Sequence, residues 1–224
     1  MSSAADNSPD ALALSALISS RLCHDLINPV GALSSGLEVL ADPSMDEGMK
    51  EAAIDLIKSS AGKSVALLKY ARLAYGASGG LGAELPYEEA KHVLEGIVAW
   101  TKAKLDWRIA PGQAPKDEVK ALLVMGLSAA DCVPRGGSVT IEGGKGNYTI
   151  SVTGDRVILQ DDLVEAVAGA AEDLKPKFAP HFIAGLAARQ AGGEITAEQS
   201  DGAVSFRVRF AAEIASGQPA LTAG

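Results

Sequence analysis

Cysteine and histidine are scarce in this 224-residue chain, and it has neither clusters of basic charge nor long apolar runs. The two cysteines, Cys23 and Cys132, lie far apart and form no CxxC pair, so no disulfide framework is expected. The three histidines, His24, His92 and His181, show no HExxH or other close ligand spacing, which leaves a structural zinc site without support. The richest apolar stretch, 121–130 (ALLVMGLSAA), is about half as long as a membrane span. The opening MSSAADNSPD is small and acidic, unlike the basic start of a signal or transit peptide, and a cytoplasmic location is expected. Twenty basic residues against 28 acidic ones give a formal charge of -8. That balance argues against nucleic acid as a partner, and nothing points to a membrane.

What is present is material for a packed core. Hydrophobic residues make up 47% and charged residues 21%, which excludes global disorder. The length suits one large domain or two small ones. From near Asp10 to Leu40, apolar residues (Leu12, Ala16, Leu22, Leu26, Val30, Leu33, Leu37, Leu40) recur mostly at three- or four-residue steps, the period of a long amphipathic helix. ADPS at 41–44 breaks the pattern. Ser44 followed by Glu47 reads as a capping box opening a second helix, with a stripe from Met49 through Ala53, Leu56 and Leu67 to Ala71. Two long helices joined by a short turn form an antiparallel hairpin. Each buries only one face, so a symmetric dimer making a four-helix bundle is expected.

The segment GASGGLG (76–82) is the natural boundary between a domain at 10–76 and another at 83–212. In the second, helices are expected at 87–103, 116–131, 161–171 and 181–191. Strands are expected at 105–109, 138–142, 148–153, 195–198 and 203–210, with PGQAP (111–115) as a turn. Helices interspersed with antiparallel hairpins predict an α/β sandwich, one helical layer on one sheet. The leader 1–9 and the tail GQPALTAG read as loose ends.

The sharpest local feature is the run Cys23-His24-Asp25-Leu26-Ile27-Asn28-Pro29. At helical spacing His24 stands about 160° from Leu22 and Leu26, so its imidazole should face solvent. Its own face carries Ser20, Arg21, Ile27, Asn28 and Gly31. An exposed imidazole that is neutral near physiological pH is a good nucleophile. Asp25 can hydrogen-bond one ring nitrogen and fix the tautomer, and Asn28, one turn on, can orient a phosphoryl oxygen or a water. Pro29 lacks a backbone donor and frees the Asp25 carbonyl. A lone exposed histidine is more often without a role, and His92 and His181 read as structural.

His24-Asp25-Leu26-x-Asn28-Pro29 resembles the H-box of bacterial sensor histidine kinases, and the hairpin around it resembles their dimerisation and phosphotransfer domain. The run 121–131, followed by Pro134-Arg135-Gly136-Gly137, resembles the N-box helix and turn of the kinase ATP-binding domain, and Gly192-Gly193-Glu194-Ile195 its terminal glycine pair. The departures bear on function. Val124 and Ser128 stand where the family places asparagines, the second a magnesium ligand; neither replaces an amide oxygen well. The segment Val152-Thr153-Gly154-Asp155-Arg156 lacks the adenine-motif spacing, and Phe178 to Ile183 holds no lid glycine. With Arg21-Leu22-Cys23-His24-Asp25, the run Ser35 to Ser44 and Tyr75-Gly76-Ala77-Ser78, the chain is similar to alphaproteobacterial histidine phosphotransferases of the ChpT type.

That resemblance implies a homodimer whose His24 accepts a phosphoryl group from the receiver domain of a hybrid histidine kinase and passes it to receiver domains of response regulators, in a cell-cycle-type phosphorelay without ATP binding. It implies Asp25 as the residue orienting the imidazole and Asn28 as a candidate for positioning water. Arg21 either counters phosphate charge or pairs with Asp25. Ile27 and Gly31 on the first helix, with Lys63, Leu67 and Tyr70 on the second, are the candidate partner contacts. No cofactor or metal is expected on this chain; magnesium would come with the receiver. An inactive signalling scaffold and an atypical ATP-dependent histidine kinase are the alternatives.

Overall fold

The computed structural model describes residues 9–76, 83–170 and 172–211. The leader apart from Pro9, the boundary segment after Gly76 and the tail GQPALTAG lie outside the described residues. Helix α1 spans Ala11–Ala41 and α2 spans Glu47–Ala74, packed against each other as a hairpin. Asp10 caps α1 by accepting from the Ala13 N–H at 2.7 Å. The expected Ser44–Glu47 box is not what starts α2. The Ser44 amide and hydroxyl both donate to Asp42 Oδ1, at 2.8 and 2.7 Å, which holds the turn. Asp46 is the cap instead, accepting from the Met49 N–H at 2.8 Å. A carboxylate at this position satisfies an orphan helix donor, and Ser44 is already committed to the turn.

The helices approach closely where Gly36 meets α2: a Cβ there would stand 2.7 Å from Ile57 Cγ1 and 3.2 Å from the Ala53 carbonyl. Helix α1 runs unbroken through Pro29, which is buried. The expected apolar stripe of α1 splits in two. Leu22, Leu26, Leu33 and Leu40 are half-buried, whereas Leu12, Val30 and Leu37 face solvent.

The second domain follows in the order β1 (Glu84–Pro86), α3 (Tyr87–Val98), β2 (Ala103–Trp107), β3 (Gln113–Pro115), α4 (Lys116–Asp131), β4 (Gly137–Gly144), β5 (Asn147–Thr153) and α5 (Asp161–Ala168). A 3-10 turn (Pro176–Phe178), α6 (Ala179–Gln190), β6 (Glu194–Ser200) and β7 (Ala203–Arg209) complete it. Five strands form one sheet in the order β2-β4-β5-β7-β6, and β1 pairs separately with β3. Along β5 and β7, buried residues alternate with exposed or half-exposed ones, Tyr148, Ile150 and Val152 beside Val204, Phe206 and Val208. This period of two puts one face of the sheet against the helices.

The expected α/β layering holds, with local corrections. β2 pairs with β4 in parallel, whereas the other pairs of the five-stranded sheet are antiparallel. PGQAP contains strand β3, which the two prolines concealed, and the short β1 has no sequence pattern of its own. Helix α3 stops at Val98 because the Thr101 hydroxyl donates to the Val98 carbonyl and accepts from the Ala103 N–H, turning the chain into β2. Helix α5 stops at Ala168, where Gly169 takes a left-handed conformation (φ 99°), the usual helix C-terminal solution for glycine. The C-terminal end of α2 enters the core of this domain: Tyr70, Leu73 and Ala74 share a buried cluster with Leu94, Leu122 and Leu123.

Candidate functional site

His24 stands midway along α1 with its side chain 79% exposed. Its Nδ1 lies 3.4 Å from Asp25 Oδ1, at the long limit of a hydrogen bond, which leaves Nε2 as the ring nitrogen free of that contact. Asp25 has a second and tighter partner. Arg21 Nε donates to Asp25 Oδ2 at 2.6 Å, one helical turn apart, with both side chains largely buried. Arg21 is thus paired with Asp25 in this structure.

The groove at His24 contains Arg21, Asp25 and Asn28 from α1, and Lys63 and Leu67 from α2. Its remaining wall comes from the second domain: Ile97, Trp100, Thr101, Leu127 and Asp131. Trp100 is partly exposed, and its ring lies over Gly62, where a Cβ would come within 3.0 Å of it. Ile27 is 66% exposed, and Gly31 has open space beside it. Of the expected site residues, Arg21, Asp25, Asn28, Lys63 and Leu67 thus meet at the His24 groove, Ile27 and Gly31 lie on the open surface of α1 outside its lining, and one is turned away. Tyr70 is buried and donates to the Leu123 carbonyl at 3.4 Å, so its side chain faces the interior of the second domain and not a docking partner. Burial of an aromatic ring at the junction outweighed its position on the expected groove side. The residues that sequence reasoning missed, Trp100 and Asp131 above all, are separated from His24 by more of the chain than helical periodicity can relate.

Behind this groove, α4 and α6 enclose the place where the sequence resemblance would put a nucleotide. Ser128 donates to the Val124 carbonyl at 2.8 Å, so its oxygen accepts from His181 Nε2 at 2.5 Å. Burial pulls the His181 imidazole down to about 3, with the Arg21 and Lys177 charges acting in the same direction. The cavity here holds only about 30 Å³, and Arg21, Tyr70 and Tyr75 of the hairpin form part of its wall. A neighbouring apolar cavity of about 120 Å³ lies between Ile18, Ala121 and Ile183. Both fall below the ~300 Å³ at which small-molecule pockets begin. Burial also pushes the Cys132 thiol up to about 12, which makes it an inert core residue. Among the described residues, no group of three or more His, Cys, Asp or Glu could hold a metal ion, and no helix is long and apolar enough to cross a membrane.

Residues 87–203 match the family described as the histidine phosphotransferase C-terminal domain. The protein phosphotransferase ChpT of Brucella abortus (strain 2308) is 39% identical over 167 residues, covering 73% of this chain and 78% of that protein. A solved 1.7 Å structure of a bacterial phosphotransferase superimposes with a TM-score of 0.79 at 32% identity, covering 89% of this chain and 97% of the other.

Proposed function

This chain belongs to the histidine phosphotransferase family, and from that footing we propose that it relays phosphoryl groups between receiver-domain aspartates through His24. The observation that carries this reading is the exposed His24 imidazole on a rigid helix, with Asp25 at its Nδ1. Nε2 attacks the phosphorus of an aspartyl phosphate opposite the aspartate oxygen; the N–P bond forms as the P–O bond breaks, and the donor carboxylate leaves. Asp25 favours the charge that develops on the ring. In the second step an acceptor aspartate attacks the phosphohistidine and the N–P bond breaks. Asn28, in the same groove, is placed to orient a phosphoryl oxygen or a water. Magnesium arrives with the receiver. Ile27, Gly31, Lys63 and Leu67 frame the surface that the receiver meets.

The donor in this reading is the receiver domain of a hybrid histidine kinase, and the acceptors are response-regulator receivers. ATP has no part in it. Val124 and Ser128 offer no metal amide, and Arg21, Tyr70 and Tyr75 of the hairpin form part of the wall of the α4–α6 cavity, which supports this reading. The working unit is a homodimer, two hairpins joined as a four-helix bundle through the exposed Leu12, Val30 and Leu37.

The test uses a receiver prelabelled on its aspartate and freed of kinase and ATP, mixed with wild type or with His24→Ala. Acid-labile label on the wild type alone is expected, and labelled ATP should give a blank. Label entering from ATP would make the chain a kinase. A chain labelled by neither route, with receivers that other phosphotransferases accept, would leave the scaffold reading.

A further inference from the structure

Gly62 lies inside α2, where a glycine costs helix propensity and neither a turn nor a positive φ calls for one. The reason for it lies in the second domain. The Trp100 ring sits over Gly62, and a Cβ there would stand 3.0 Å from Trp100 Cζ2 and 3.2 Å from Cη2. Those separations are shorter than ordinary carbon–carbon packing, so a side chain at 62 has to displace the ring. Trp100 is also held from its own side. Its N–H donates to the Ile97 carbonyl at 3.1 Å, and the Thr101 N–H donates to the Val98 carbonyl at 2.8 Å. Ile97 and Val98 are buried in the core of the second domain. Trp100 is thus a point where the end of α3 rests on α2, next in sequence to the groove residue Lys63.

We propose that Trp100 is a positioning residue for receiver docking: seated on Gly62, it clasps the C-terminal end of α3 to α2 and so fixes the second-domain wall of the His24 groove. Ile97 and Thr101, close to Trp100 in the chain, belong to the same wall. A wall already in place needs no ordering when a partner enters, and a loose one loses affinity to that ordering. Gly62 is the other half of the device, because the absence of a side chain there lets the ring lie against the helix. Trp100 remains 39% exposed, so a larger residue at 62 can lift the ring without breaking the core. The consequence for docking rests on the relay reading; the seat of Trp100 on Gly62 stands apart from it.

The experiment has two arms, both on the full chain. In the first, no receiver is present. The chain has two tryptophans, so Trp107→Phe leaves Trp100 as the only indole emitter. In that background Gly62→Ala and then Gly62→Val should shift the emission and raise its quenching by acrylamide in that order, with the α-helical signal unchanged. Unmoved emission and quenching overturn the proposal. In the second arm, labelled receiver donates to wild type, Gly62→Val, Trp100→Ala and the double variant. Each single change should raise the half-saturating receiver concentration by about fivefold and leave the rate at saturation within about twofold, the pattern of impaired docking and not of impaired chemistry. Gly62→Val should cost nothing further once Trp100 is Ala. Unchanged half-saturation in Gly62→Val would mean that the clasp does not shape the groove. Equal losses in both backgrounds would mean that residue 62 acts without Trp100, and a fall in the saturated rate alone would place the effect on the chemistry. Each of these results overturns the proposal. If wild type takes no label, the relay reading fails, and the Trp100 emission still decides the seat.

Discussion

His24 and His181 show how one residue type takes opposite roles within a single chain. His24 is solvent-facing with a carboxylate at its side, whereas His181 is buried against Ser128. For His181 the neutral form is the folded form, because its imidazole is held down to about 3 while the unfolded chain takes up a proton near the ordinary value of 6.5. Its contribution to stability is therefore complete above about pH 6.5 and is lost as pH falls toward 3, at up to about 1.4 kcal/mol per pH unit. Urea unfolding at pH 7.5, 5.5 and 4.5 should show a shallower loss for His181→Gln than for wild type; equal slopes would remove His181 as the cause. At the site, Asp25→Asn keeps the shape and removes the charge. It should lower the rate of label uptake by about a hundredfold without unfolding the helix, as read by single-turnover transfer and circular dichroism. The motif around His24 was legible because every residue in it lies within two helical turns. The Arg21–Asp25 pair was legible as one of two options, and only the distance chose between them.

Among the elements, the two long helices were readable almost to the residue because a period sustained over eight turns leaves little ambiguity. Short elements were not. β1 and β3 have three residues each and exist because they pair with one another. Two features predict strong local effects. Gly36→Leu would drive a side chain into Ile57 and Ala53 at a close approach of the two helices; a loss of about 2 kcal/mol in denaturant unfolding is expected, despite leucine's better helix propensity. Glu118, buried at the start of α4, accepts from the Gly146 N–H and the Tyr148 hydroxyl, both at 2.7 Å, and so ties α4 to the β4–β5 turn. Glu118→Ala would strand the Gly146 N–H and leave the Tyr148 hydroxyl only its contact with the Tyr87 hydroxyl, and should cost about 2–3 kcal/mol in the same assay.

At the scale of the whole molecule, the split of the α1 stripe carries the argument. At about 100° per residue, Leu22, Leu26, Leu33 and Leu40 fall within about 40° of one another and face α2. Leu12, Val30 and Leu37 lie about 40–60° further round and remain exposed, Leu37 at 58%. If the proposed homodimer forms through this face, a charge on it, Leu37→Glu, should weaken self-association by at least about tenfold in sedimentation equilibrium while the α-helical signal stays unchanged. An unaltered assembly would place the interface elsewhere. The helical hairpin, the outward-facing His24 with Asp25 beside it, and the layered second domain were all readable from the chain, because each follows from a period or a motif confined to neighbouring residues. The inward turn of Tyr70, the parallel pairing of β2 with β4, and the walling of the His24 groove by Trp100 and Asp131 of the second domain became visible only in three dimensions. Those outcomes depend on how two domains pack, and packing brings together residues between which no local spacing exists.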